Sequence, residues 1–318
     1  MAVSLIHIGL PKTASTSMQH AWLHSPGVYL VKDDLVSIIN LASQCGNTGL
    51  VGKRFDVRFD LTPPEGAKVI FSNEGLGASY LYGQGGGCLG DFHQAASIML
   101  AQVAPGAKVL LVLRQPEKWL LSVYNQLVKM GGTYTFPEYQ RVKGEVLARS
   151  WDLGEVVGAW EERFGCENVF ILPMEMLRDN ADLFWSEIEA FSGVPLPPLE
   201  MESIPELDKN KSLNESALKI MREYNKWLEL FRQNKEVVIH QDAQAAFDIV
   251  RFEVRYNLQM YPEKIVQAFQ PLAEKLPSCL ADEQHFDRDL LVKMKGHVAD
   301  FFDKTDFYGY REQYISMF

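Results

Sequence analysis

Four short stretches of this chain are apolar at nearly every position rather than at every second one: Val3–Ile8, Val69–Phe71, Val109–Leu113 and Val169–Leu172. Such continuous runs suit strands covered on both faces, as in a parallel sheet. Helical patterns lie between them, over Ser15–His24, Gly90–Val103, Pro116–Met130 and Asp152–Phe164. Pro116 stands near a first helical turn, and Gly131-Gly132 supplies a stop. The alternation predicts an α/β fold, a doubly wound central parallel sheet flanked by helices. The Gly-rich stretch Gly83–Gly90 reads as a loop. Prolines at 195, 197, 198 and 205 mark a second loop, and longer helical patterns follow over Ser212–Asn234 and Gln241–Tyr256. The expectation is one domain over residues 1–318, with a core over 1–215 and a largely helical C-terminal part over 216–318.

In open parallel sheets, ligands bind beyond the carboxyl ends of the strands. The first run leads to Lys12, the second to Glu74, the third to Arg114 and the fourth to Met174-Glu175. If the strands are parallel, a lysine, a carboxylate and an arginine share one edge. Two cations suit a doubly anionic ligand, and a carboxylate can take a proton.

The first of these ends is the richest. After Ile8-Gly9-Leu10-Pro11, the chain runs through Lys12, Thr13, Ala14, Ser15, Thr16 and Ser17 into a helix. A helix N-terminus offers unpaired N–H groups and a favourable dipole to an anion. Lys12 adds a charge and the hydroxyls add donors. The segment reads as a phosphate or sulfate cradle but not as a Walker A loop, which needs a Gly-Lys pair that is missing here. Arg114-Gln115-Pro116 is followed by Ser122-Val123-Tyr124, an arginine that can grip a phosphate with a serine two helical turns on.

Together these two segments resemble the sulfotransferases that use 3′-phosphoadenosine 5′-phosphosulfate (PAPS). Pro11-Lys12-Thr13-Ala14-Ser15-Thr16 matches that family's 5′-phosphosulfate motif. Arg114-Gln115-Pro116 with Ser122-Val123-Tyr124 matches its 3′-phosphate motif. Asn210-Lys211-Ser212 is similar to an Asn-x-Ser segment that closes over the 3′-phosphate end. The resemblance covers residues 1–215 and is nearer to the soluble bacterial and heparan-type branch, in which a glutamate near the second conserved strand is the base. Ser72-Asn73-Glu74-Gly75 fits that place. The resemblance thus implies a P-loop NTPase-like sulfotransferase fold, PAPS as donor and PAP as product, Lys12 at the leaving phosphate, and Glu74 as base. The chain departs from the family at two positions. Ala14 stands where many members have glycine, and Ser17 stands where the animal enzymes have a tryptophan against adenine.

Charge and composition narrow the partners. With 31 Lys and Arg against 41 Asp and Glu, the net charge of −10 argues against general nucleic-acid binding. It also disfavours a highly sulfated polyanion as acceptor. A small-molecule or carbohydrate acceptor, sulfated on a hydroxyl or an amine, is the expectation. The cysteines, Cys45, Cys88, Cys166 and Cys279, form no CxxC pair and read as free thiols of a reducing compartment. No run approaches the roughly 20 apolar residues of a membrane span, and no basic segment leads into a long apolar run. A cytoplasmic protein without a metal is expected.

Several residues admit a plainer reading. His7 lies inside a strand and reads as a buried, hydrogen-bonded residue. His20 and His24 stand at i, i+4 without a third ligand in view, so an ordinary helix face is expected. His93 is the alternative base, placed on the substrate side. Asp91 and Glu175 read as structural, and Trp151, Trp160 and Phe164 as core. Tyr134, Phe136 and Tyr139 suit an acceptor pocket or ordinary packing equally. Two rival functions remain at this stage: a P-loop-like small-molecule kinase, and an inactive nucleotide-binding protein of the same fold.

Overall fold

The computed structural model describes residues 2–10, 12–48, 57–59, 61–78, 89–195, 213–233, 250–258, 285–302 and 307–316. They fall into two compact units. The first comprises Met1–Trp119, Gly144–Glu200 and Arg288–Phe318; the second comprises Leu120–Lys143 and Met201–Asp287.

The first unit holds the sheet. Its strands are β1 (Val3–His7), β2 (Val28–Val31), β3 (Lys68–Ser72), β4 (Lys108–Leu113) and β5 (Val169–Pro173). They lie in the order β2-β3-β1-β4-β5, and every pairing is parallel. The fold class is therefore α/β with a central parallel sheet, as the apolar runs imply. Strand β2 is the one the runs miss. It is a short edge strand, three of whose four positions are only half-buried, so its burial leaves a weak pattern.

Helices α1 (Ser15–Leu23), α2 (Val36–Thr48), α3 (Gly75–Ala78) and α4 (Leu89–Val103) connect the first four strands. After β4 come α5 (Pro116–Lys129), α6 (Phe136–Arg149) and α7 (Leu153–Phe164), then α8 (Met174–Asp179) and α9 (Ala181–Ser192) behind β5. One sheet face buries Leu5, Ile70, Leu110, Val112 and Leu172 against Met18 and Trp22 of α1, Met176 of α8, and Phe184 and Ile188 of α9. Helices α2, α4 and α7 pack side by side elsewhere in the unit. Apolar burial of this kind, at roughly 25 cal/mol per Å², is the main stabilising term.

Helix limits follow local chemistry. The Asp152 side chain accepts from Glu155 N at 3.1 Å, so the residue read as the first of a helix is its cap. Asn180 does the same for α9 through Leu183 N. Thr135 and Glu138 exchange bonds across the first turn of α6, a reciprocal capping box. Gly165 and Gly193, both at positive φ, end α7 and α9.

The described part of the second unit is helical, with α10 (Glu215–Gln233) and a helical stretch over 250–258. Asn125 bonds both the N–H and the C=O of Leu213, and Asn225 Nδ2 donates to Val128 O and Gly132 O. Phe136 and Tyr139 are buried with Tyr124 in an aromatic cluster that Phe286 joins. Of the three aromatics considered for an acceptor pocket, these two pack inside the unit; Tyr134 is exposed. Helices α11 (Arg288–Phe302) and α12 (Arg311–Ile315) return to the first unit. Among the described residues, no helix is long and apolar enough to cross a membrane.

Candidate functional site

The strand order sets up the site. β1 is central, with β3 on one side and β4 on the other, and the chain reverses its direction of travel around it. That reversal opens a crevice at the carboxyl ends of the strands. Read across the edge, the segments after β2, β3, β1, β4 and β5 carry Lys32, Glu74, Lys12, Arg114 and Glu175 in that order. Cations and carboxylates are thus interleaved, with the two candidate anion-binding cations adjacent at the centre.

The loop after β1 departs from ordinary backbone. Lys12 (φ 67°) and Ala14 (φ 64°) both occupy the left-handed region. For residues with a Cβ that conformation costs about 1–2 kcal/mol each. Left-handed residues in such a turn are what an anion nest of successive N–H groups is built from. At Ala14 a glycine would hold the left-handed conformation without strain. Thr13 is fully buried, and its Oγ1 donates to Leu10 O at 2.6 Å, closing the turn. That hydroxyl serves the loop itself. Helix α1 begins with no side-chain cap and no acidic residue in its first turn, unlike α6, α7 and α9. Ser15 and Ser17 are buried and Thr16 is half-buried in that uncapped turn.

The turn after β3 is pinned against this loop. Asn73 Oδ1 accepts from Gly75 N at 2.8 Å, while its Nδ2 donates to Lys32 O at 3.0 Å. Leu76 N and Gly77 N donate to Asn73 O and Glu74 O. A Cβ on Gly77 would stand 2.2 Å from Gly9 O, so only glycine allows the two backbones to approach this closely. Below the turn, His7 Nδ1 and Ser72 Oγ are 2.8 Å apart, and Gln19 Nε2 donates to Ser72 Oγ at 3.1 Å. Burial lowers the His7 pKa to about 3, so the ring is neutral.

Lys12 feels the charges of both Glu74 and Arg114. Burial raises the Glu74 carboxyl above its ordinary value; Lys12, Lys32 and the Ser15 hydroxyl pull the other way without cancelling it. Burial lowers the Lys12 ammonium, which Glu74 raises and Arg114 lowers further. Burial likewise lowers Arg114, against the fields of Glu175 and Tyr314. Arg114 Nη1 donates to Lys12 O at 3.3 Å, tying the end of β4 to the cradle. Its Nε is buried without a partner among the described residues.

His93 is buried, and its Nδ1 accepts from Trp160 Nε1 at 3.1 Å; burial lowers its pKa to about 3. It is a core residue of α4 in this structure. Ser122 belongs to the second unit, where its hydroxyl is buried with no partner among the described residues. Asn210, Lys211 and Ser212 lie outside the described residues, as does Pro11. Residues that the apolar pattern overlooks are Lys32, because β2 was missed, and Tyr314. The latter donates to the buried Glu175 Oε2 at 2.6 Å from 139 residues away, and no local sequence signal marks such a pair.

No family model and no curated protein matches the chain. Among solved structures it is similar to a sulfotransferase from Alicyclobacillus acidocaldarius. Identity is 17% and the TM-score 0.46, over 71% of this chain and 93% of that one. It is also similar to the mouse sulfotransferase SULT7A1 complexed with PAP, with 13% identity and a TM-score of 0.36, over 86% of this chain and 89% of that one.

Proposed function

We propose that this protein is a sulfotransferase that moves a sulfuryl group from PAPS to a hydroxyl, or an amine, of a small-molecule or sugar acceptor. The observation that carries the reading is the electrostatic triad at the crevice. A lysine in a strained left-handed turn, an arginine whose buried Nε has no partner among the described residues and a carboxylate with a raised pKa stand on adjacent strand ends.

The roles follow from charge. Lys12 and the N–H groups of residues 13–17 meet the negative charge that develops on the bridging phosphate oxygen as its bond to sulfur breaks. Glu74 receives the proton of the acceptor as the new bond to sulfur forms. Its raised pKa brings it nearer to the pH at which a base works best. Arg114 grips the 3′-phosphate and sets the register of the donor, a positioning role.

The test is thermal stability with nucleotides. PAP at 100 times its Kd should stabilise the protein by about 2.7 kcal/mol, seen as a clear rise in Tm. ATP with Mg²⁺ should do little. No rise with PAP, or a larger rise with ATP and Mg²⁺, refutes the donor assignment in favour of a kinase.

A further inference from the structure

The buried Glu175 sits at the fifth strand end, directly beside the Arg114 turn, and the sulfuryl-transfer reading gives it no role. Its two oxygens are both engaged. Oε1 accepts from Gln115 N at 3.0 Å, and Oε2 accepts from Tyr314 OH at 2.6 Å. Gln115 is the residue after Arg114, and its carbonyl accepts the first helical bond of α5, from Trp119 N. Glu175 therefore caps α5 and fixes the peptide that carries Arg114. The C-terminal helices hold the same turn at a second point: Lys295 of α11 pairs with Glu117 in the first turn of α5 and also bonds Ser316 O.

Charge makes this arrangement more than a brace. A buried carboxylate left short of partners turns to the nearest cation. Two cations feel Glu175: Arg178, which is exposed and paired with Asp179, and the half-buried Arg114, whose charge also feels Tyr314. Yet Arg114 and Glu175 form no direct ion pair; Arg114 points Nη1 at Lys12 O and leaves Nε unbonded. Two neutral donors, the Gln115 N–H and the Tyr314 hydroxyl, satisfy the carboxylate instead. Tyr314 is fully buried, and burial with the facing carboxylate keeps its phenol protonated.

We propose that Tyr314 and Glu175 are positioning residues. By occupying the carboxylate, Tyr314 keeps the Arg114 guanidinium turned toward the crevice and available to an anionic ligand group. The C-terminal helices thereby take part in donor recognition without touching the donor. The proposal rests on the donor reading above for the identity of that group, the 3′-phosphate.

The test compares PAP with AMP, which lacks the 3′-phosphate, on the full chain. In Tyr314→Phe the ring packing survives and only the hydroxyl goes. The freed carboxylate should capture Arg114, weakening PAP about tenfold, the loss of one charge-assisted bond, while AMP affinity stays unchanged. In the Glu175→Gln background, Tyr314→Phe should cost little further, because no carboxylate remains to capture the arginine. Hydrogen exchange at the Gln115 amide should quicken in Tyr314→Phe. Equal losses for PAP and AMP, or full additivity of the two changes, overturn the proposal in favour of a merely structural pair. Unchanged exchange at Gln115 overturns the positioning role whatever the nucleotides do. Wild-type protein that binds PAP no better than AMP instead overturns the donor reading, and with it the 3′-phosphate assignment.

Discussion

Acidification should destabilise this protein through two histidines. His7 and His93 are both fully buried, and burial lowers each from 6.5 to about 3. The sign follows from linkage. The folded state holds each ring neutral, whereas the unfolded chain protonates it below pH 6.5. Each therefore contributes stability that is complete above pH 6.5 and is lost as pH falls toward about 3. At pH 5 the loss is about 2 kcal/mol per ring, from about 1.4 kcal/mol for each pH unit. Together they remove about 4 kcal/mol, a large part of the roughly 5–15 kcal/mol that holds a typical domain. Among the described residues, no acidic group offsets the charge at either site. His7 faces Ser72 and the edge of Trp22, and His93 faces Trp160 and Phe92. Urea unfolding at pH 7 and pH 5 measures the effect on wild type, His7→Asn and His93→Asn. Each variant should show a pH-dependent loss smaller than that of the wild type by about 2 kcal/mol. A variant that loses as much on acidification as the wild type shows that its histidine is not held neutral by burial. The His7 result bears on the site as well, because Ser72 stands two residues before Glu74.

Three further outcomes follow from the site. Lys12→Ala should cut turnover by orders of magnitude at saturating acceptor, and near-normal turnover would remove Lys12 from the leaving-group role. Glu74→Gln should keep PAP binding and lose transfer. Because burial raises the Glu74 carboxyl, its ionised form costs stability. That cost is absent below the unfolded carboxyl value and is felt as pH rises through the folded one. The same variant should thus melt higher than wild type at neutral pH and equal to it in acid; an unchanged or lower melting point at pH 7 contradicts the burial argument. Gly77→Ala places a methyl 2.2 Å from Gly9 O and should cost about 1–3 kcal/mol while weakening PAP binding, since the cradle loop must move. A fully stable Gly77→Ala with wild-type affinity would mean that the two turns are not locked together.

The sheet was legible because burial on both faces leaves unbroken apolar runs. β1, β3, β4 and β5 announce themselves in this way, and strand-end residues then follow by counting: Lys12, Glu74 and Arg114 do lie together. Edge strand β2 was not legible, because an edge position needs less burial and so less pattern. With it went Lys32, a cation whose field reaches Glu74. His93 shows the opposite failure. A histidine just past a Gly-rich stretch looks available for chemistry, yet its place on α4 turns the ring toward Trp160. Periodicity reports that a helix has an apolar face; it does not report which polar residue that face takes inward.

Glu175 marks where local reasoning stops. Its reading as structural agrees with its burial, but its partners are a peptide N–H and a tyrosine hydroxyl, neither of which sequence pattern can pair with it. A backbone amide has no side-chain identity to recognise, and the 139 residues separating Glu175 from Tyr314 exceed any periodic signal. The physical demand is nonetheless strict. A carboxylate buried one strand from an arginine must be satisfied by something else, or it pairs with the arginine. Any chain that places acidic and basic residues on neighbouring strand ends of one crevice faces that competition. Here Arg114 stays available because Glu175 is occupied by neutral donors. On the proposed reading, the availability of Arg114, more than its presence in the sequence, is what lets the crevice take an anionic ligand.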